Sequence, residues 1–438
     1  MQAGTAKVEI TPTTDVWMDG MVRNHRSVGV HDPLFARALF LTSGAVCEGF
    51  VVVSVDVCTF READVRAIRQ EAEARTGMPE DHIIVAATHT HSGPATFGYF
   101  NPIAEDYTLG LIGRLVAVIE KAVANARPAA AGWASGREDT ISHYRRLLAK
   151  DGHVVMNWET YPAEDIVGPL GTVDPEVGVL KIVDAEDPKE TLCVLFNHAG
   201  HPNVMSGDNY LISADYPGCA TRLLEESFGG TSIFTNGAQG TMDIDGLRDR
   251  DWEGVDRIGT ALSEAVAGIA RKVAPSAQPT VRGSHVRYAL PARKITDSEL
   301  AWAEQTLGET EESTQTLPDG VGDDFLAALY KRLREVQDDP IGMEQICIAV
   351  DDTVFLSVPG ELFTEIGSRI KAESPFRHTW LIGLANGSVG YLPTRKAIEE
   401  GGYAVDTRRV NADAEEIIVR ESVRLLRNVH DPVQSECR

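Results

Sequence analysis

The sequence predicts an α/β protein in which a mixed β-sheet core is flanked by helices and the site lies at strand carboxyl ends. Three observations predict it. Apolar runs of strand length recur along the 438 residues, with periodic, helix-like segments between them. Each run ends in Asp, His, Asn, Glu or Tyr, the types that bind metals and move protons, and open α/β sheets bind ligands at those ends. No repeat of fixed period and no clear linker divides the chain.

The first run, GFVVVSVD (49–56), is rich in β-branched residues, ends at Asp56 and precedes the helix pattern READVRAIRQEAEART. The second, IIVAA (83–87), leads to His89 and His91 and then to Gly93-Pro94, which no central strand tolerates. Positions two apart share a strand face, so continued strand geometry would set the two rings about 6.6 Å apart on one side. That suits one metal ligand beside one acid–base group, or two ligands of one ion; a pair of loop caps is the plain alternative. The helix pattern LGLIGRLVAVIEKAVANA follows. The third run, LCVLFN (192–197), leads to His198 and His201 and the helix YPGCATRLLEESF. The fourth, SIFTNG (232–237), opens a Gly-rich turn and then the helix DRIGTALSEAVAGIARKVA. The fifth, TVFLSVPGE (353–361), ends at Glu361 and runs into LFTEIGSRIKAES. The sixth, WLIGLANG (380–387), leads to Asn386 and Tyr391.

Region 297–340 is acidic and helix-prone around a polar break, LGETEESTQTLPDGVGDD. It reads as a helical excursion with a mobile loop that could form a lid or a homo-oligomer contact. The expected organisation is a single domain over 1–430, with 431–438 as a tail.

Bulk composition narrows the function. A formal charge of -24 repels nucleic acid and anionic membranes. No apolar run reaches bilayer-spanning length, so stable membrane insertion is not expected. The opening MQAGTAKVEITP lacks a basic-then-apolar signal design, which points to a cytoplasmic protein. Cysteines 47, 58, 193, 219, 347 and 437 form no CxxC pair. Most sit in apolar stretches, so they read as buried free thiols of a reducing compartment, with no thiolate near the metal. Imidazole and carboxylate together suit one Zn²⁺ per chain, with Mn²⁺ or Fe²⁺ as competitors. Two histidines and a glutamate leave a position for water, whose pKa then falls to about 7.

AGTAKVEITP (3–12), GVHDPLFARAL (29–39), ATHTHSGP (87–94), HPNVMSGDNYLISADYPG (201–218), VPGEL (358–362) and ANGSVGYLPT (385–394) occur in one order across nearly the whole chain. In these motifs the chain resembles the neutral ceramidase family, and in particular its shorter, catalytic-domain-only bacterial members. The resemblance implies a zinc ion held by His89, His201, Glu361 and Tyr391. It implies that His91 contacts substrate or its developing oxyanion, and that Arg145 holds a substrate carbonyl or carboxylate. Asp56 and Asp215 either orient the liganding imidazoles or make turn and cap hydrogen bonds. His198 stands where the family has an apolar residue, so it lines the pocket or backs the ligands. His31, beside Asp32, is a further candidate for the pocket wall.

Two features depart from the family. Its serine in a Gly-Asp-x-Ser-Pro segment has Asp243 in its place here, with Thr241 at the family's Asp. Asp243 could serve as a base, a substrate clamp or a further ligand. The chain also ends before the family's C-terminal immunoglobulin-like domain would follow. The expected activity is therefore zinc-dependent hydrolysis of an amide or ester (N-acyl, O-acyl, lactone or lactam) of a soluble small molecule, with metal-activated water as nucleophile. The alternatives are a metal-dependent lyase or isomerase on a polar sugar-like substrate, a true ceramidase, and a non-catalytic metal-stabilised binding protein.

Overall fold

The structure is a computed structural model that describes residues 1–244, 250–309 and 321–431. Most of the polar break (310–320) and nearly all of the tail (432–438) therefore fall outside the described residues.

Among these residues the larger sheet has eight strands: β1 (Gln2–Glu9), β2 (Phe35–Thr42), β3 (Phe50–Val55), β4 (Ile83–Ala87), β5 (Arg127–Arg137), β6 (Glu176–Asp184), β7 (Thr191–His198) and β8 (Thr231–Asn236). Their spatial order is β8-β7-β6-β5-β1-β2-β3-β4. A second sheet runs β9 (Val281–Leu290), β10 (Ile341–Val350), β11 (Thr353–Ser357) and β12 (His378–Ile382) in that order.

The six strands legible in the sequence form three parallel pairs: β3 with β4, β7 with β8, and β11 with β12. Parallel neighbours need a crossover. Each pair has a helical one: α1 (Glu62–Thr76), α3 (Asp215–Phe228) and α7 (Thr364–Glu373). These strands are buried along almost their whole length, which is why they read as unbroken apolar runs. The other strands pair antiparallel in long ladders, such as β5 with β6 over nine residue pairs.

The layers run helix, sheet, sheet, helix. The outer face of the large sheet packs on α1, α2 (Glu105–Ala124), α3 and α4 (Trp252–Ala270), with Val53, Val85, Phe196 and Phe234 in that layer. Its inner face packs on the second sheet through Leu39, Val52, Leu180, Leu195, Ile348, Phe355 and Trp380. The approach is close at Gly178, where a Cβ atom would stand 2.3 Å from the Trp380 ring. The far face of the second sheet is covered by α7 and the helix Ala414–His430.

The predicted excursion is a helical hairpin, α5 (Asp297–Glu309) and α6 (Asp323–Val336). It has a small core of its own, centred on Ala303, Ala327, Leu329, Tyr330 and Leu333. Its two ends meet: the Ile295 N–H donates to Gln337 Oε1 at 2.9 Å, and Lys294 Nζ donates to Gln337 O at 2.7 Å. No described helix is long and apolar enough to cross a membrane. Cys58, Cys193, Cys219 and Cys347 are buried free thiols; Cys47 is free but exposed, because it lies in a surface turn.

The ends of the three parallel units are stitched together. Gly383 N donates to Asn236 O at 2.9 Å, and Asn386 N donates to Val85 O at 2.8 Å. Asn236 Nδ2 donates to Gly200 O at 2.8 Å. Residues far apart in sequence thereby converge on one spot.

Candidate metal centre

β4 stops at Ala87, and His89 adopts φ +76°, a left-handed conformation that costs energy for a non-glycine residue. Hydrogen bonds hold it there: His89 N donates to Val57 O at 3.0 Å, and His91 N donates to Pro202 O at 2.9 Å. The strand alternation therefore does not persist. The His89 and His91 rings meet edge to face at 4.7 Å between centroids, with their Nε2 atoms 3.2 Å apart, closer than an extended strand would place them.

His201 enters from the turn after β7, and Glu361 enters just after β11. Glu361 Oε2 lies 3.1 Å from His201 Nε2 and 3.6 Å from His89 Nε2. The three ligand atoms fit within 4.8 Å of one another. His89 Nδ1 faces Cys58 O at 2.8 Å, and His201 Nδ1 faces Met242 O at 2.8 Å. A carbonyl only accepts, so each Nδ1 carries the hydrogen and each Nε2 presents a lone pair. Two imidazole lone pairs then face a carboxylate. Such a set repels itself unless a cation or a proton stands among the three atoms, and a divalent cation satisfies all of them at once. The donor set therefore fits a metal ion.

Tyr391 stands opposite Glu361 in a two-residue parallel ladder, Glu361–Leu362 against Tyr391–Leu392. The charges of Arg145 and Glu361 both act on its hydroxyl. Arg145 is buried, with Nη2 donating to Gly240 O at 2.8 Å and Nη1 3.2 Å from His201 Nε2. Its guanidinium lies over the Tyr391 and Trp158 rings, at 5.2 and 5.3 Å from their centroids.

Burial, followed by the charges of His89 and His201, pushes the His91 pKa well below the ordinary imidazole value. Burial and then Arg145 lower His201 to about 4. Burial would raise Glu361, but the His201 and His89 rings that face it outweigh burial and hold the carboxyl well below its usual range. Burial lifts Tyr391 well above the usual phenol value.

His89, His91, Arg145, Glu361 and Tyr391 share a cavity of about 450 Å³. The remaining wall is largely apolar and aromatic, with Phe97, Tyr99, Phe100, Trp158 and Tyr403, and with Leu329, Leu333 and Val336 from α6.

Other expected residues lie elsewhere. Asp56 holds no imidazole: its Oδ2 accepts from Arg37 Nη1 at 2.9 Å and from Phe35 N at 2.8 Å, because a buried guanidinium outcompetes a neutral ring. Asp215 Oδ1 accepts from Tyr216 N at 2.7 Å at the start of α3, and backbone carbonyls do the orienting instead. His198 is buried behind the site, with Nε2 3.2 Å from Ser142 Oγ and Nδ1 3.1 Å from Glu176 O. His31 is outside the cavity wall, stacked on Trp252 at 3.7 Å and paired with Asp32. Asp243 is fully buried and is absent from the cavity wall; its Oδ1 accepts from Ile244 N at 2.8 Å, and its charge favours the protonated Arg145.

Cys58 overturns the expectation that no thiol stands near the centre. Its Sγ lies 3.4 Å from His89 Nδ1, and the residue lines the cavity. An apolar run hid it, because a cysteine there reads as core. Asp19 also lines the cavity, with burial raising its pKa to about 6. No sequence pattern pointed to it.

A sequence model described as neutral/alkaline non-lysosomal ceramidase, N-terminal, matches residues 1–298. The neutral ceramidase of Pseudomonas aeruginosa is 28% identical over 246 residues, covering 53% of this chain and 34% of its own length. Neutral ceramidase 2 of Arabidopsis thaliana is 29% identical over 240 residues, covering 51% of this chain and 30% of its own length. The chain thus spans about a third of the length of the curated relatives it matches. In three dimensions, the crystal structure of neutral ceramidase from Pseudomonas aeruginosa superposes with a TM-score of 0.74 at 20% identity, covering 98% of this chain and 74% of that one. At that identity the likeness speaks for the fold.

Proposed function

Because the chain belongs to the neutral/alkaline non-lysosomal ceramidase family, we propose that it is a metal-dependent hydrolase of N-acyl amides, with ceramide-type lipids as its substrate class. The true-ceramidase reading is preferred to a soluble small-molecule substrate. The relatives carry that name, and a largely apolar, aromatic cavity suits an acyl chain. The observation that carries the proposal is the convergence of His89 Nε2, His201 Nε2 and Glu361 Oε2 beside that cavity.

His89, His201, Glu361 and Tyr391 would hold the ion, and two nitrogens with two oxygens suit zinc. Such an ion supplies Lewis acidity, polarising an acyl carbonyl and making water more acidic. The protein residues do the rest. Backbone carbonyls of Cys58 and Met242 fix the two imidazoles in one tautomer. Arg145, anchored on Gly240 O, orients the acyl oxygen and offsets the negative charge that grows on it. His91 is held neutral and lines the cavity, where its imidazole would carry the proton given up by the attacking water to the leaving nitrogen. The aromatic wall excludes water. Asp243 acts from beneath, through its charge on Arg145.

The test is elemental analysis of the purified protein and of His89→Ala and Glu361→Ala, beside incubation with a long-chain ceramide in mixed micelles. The expected result is about one metal ion per chain, lost in both variants. The wild type alone should release fatty acid and amine with the addition of water. Metal retained in both variants would overturn the ligand set. A loaded protein that cleaves no amide would overturn the activity.

A further inference from the structure

The cavity carries two cations that the metal chemistry does not use. Arg332 on α6 and Arg409 both line it. Among the described residues, neither guanidinium has a hydrogen bond, an ion pair or a ring contact. Both charges act on Tyr99, a member of the aromatic wall, favouring its ionised form against the stronger effect of burial. Arg409 also borders a neighbouring cleft of about 800 Å³, so it stands where two cavities meet.

The surroundings are crowded with like charge. Arg293 is already committed, with Nη2 donating to Glu299 at 2.7 Å and Nη1 to Asp406 O at 2.6 Å. Burial and then the charge of Arg293 bring the neighbouring Arg408 down to about 10. The carboxylates that line the same cavity are Asp19, Glu335 and Glu361, and the neighbouring cleft adds Glu62, Glu80, Asp339 and Glu344; among the described residues none of them forms an ion pair with Arg332 or Arg409. Arg332 is exposed at the cavity mouth and Arg409 half-buried, so two guanidiniums without a partner among the described residues stand beside an apolar wall, the chemistry that suits an anion attached to a hydrocarbon.

We propose that Arg332 and Arg409 select N-acyl amides that carry a carboxylate, sulfonate or phosphate away from the scissile bond. This deepens the amide-hydrolase reading and rests on it for the word substrate. The anion site itself is read from the cavity wall.

Binding tests it without turnover. Decanesulfonate and its uncharged analogue decyl methyl sulfone compete with a fluorescent apolar dye for the metal-loaded protein. The wild type should bind the sulfonate about tenfold tighter or more. In Arg332→Gln/Arg409→Gln the two compounds should bind within about twofold of each other, with sulfone affinity unchanged. Arg332→Lys should keep part of the preference, and raising salt to about 0.5 M should shrink it in the wild type without any substitution. Equal binding in the wild type overturns the proposal. So does a preference that survives the double substitution, which would place the anion on Arg145 or the metal. Cleavage of ceramide without sulfonate preference defeats this inference alone. Sulfonate preference without amide cleavage leaves it standing and defeats only the hydrolase reading.

Discussion

His89 shows at the residue scale how the site departs from its own strand. The THTH pattern was legible as chemistry, but its geometry was not, because a single left-handed residue replaces the alternation on which the ring spacing depended. Carboxylates were equally hard to place. Asp56 and Asp215 were candidates for holding imidazoles, yet one is taken by Arg37 and the other by the start of a helix. Sequence shows which groups can bond but not which partner stands nearest. Asp215 yields a prediction. Burial raises its pKa to about 7, above the usual carboxylate value. Between about pH 4 and 7 the folded chain therefore binds more protons than the unfolded one, and stability falls as pH rises through that window. Asp215→Asn keeps a side chain suited to the left-handed backbone at this position, φ +57°. It should flatten that slope and gain stability near neutrality, by roughly 4 kcal/mol at most. Denaturant melts from pH 4 to pH 8 measure it; an unchanged slope would refute the assignment.

At the scale of elements, the parallel units were legible because strands buried on both faces are written as continuous apolar runs. The antiparallel strands were not. β5, RPAAAGWASGR, is short-chained and only half buried, so nothing in its pattern separates it from a loop. The same limit hid the short ladder that sets Glu361 against Tyr391, which has two residues on each side. That ladder depends on Gly240. Gly240 N donates to Leu362 O at 2.8 Å, and a Cβ there would stand 2.6 Å from Glu361 O and 2.9 Å from Leu362 O. These are backbone atoms and cannot swing aside. Gly240→Ala should cost about 1–3 kcal/mol and weaken metal affinity together with stability. Thermal melts with and without added zinc would show both losses. A variant with wild-type melting and metal content would show that the ladder does not depend on Gly240.

On the scale of the whole molecule, the candidate metal centre draws residues from His89 to Glu361 in sequence, brought together where three parallel units end side by side. Alternating strands and helices announced those units, and the polar residues at their ends announced the site. The stacking of one sheet on the other was not announced, because it depends on which face of each buried strand turns inward. The helical hairpin stands apart from this framework. It supplies cavity wall and Arg332, but none of the residues of the candidate metal centre. Replacing 297–336 with a short glycine–serine linker should therefore leave metal content unchanged. It should raise KM for long-chain amides and lower kcat/KM about tenfold or more. Loss of the metal in the shortened chain would show that the hairpin is structural.

The meeting of Ile295 and Gln337 has a consequence for descent. A segment that leaves and re-enters at one point can be lengthened, trimmed or exchanged by recombination without shifting a single sheet register. The hairpin is thus the place where chain length can change while both sheets keep their register, so the cavity wall can be reshaped without moving His89, His201 or Glu361.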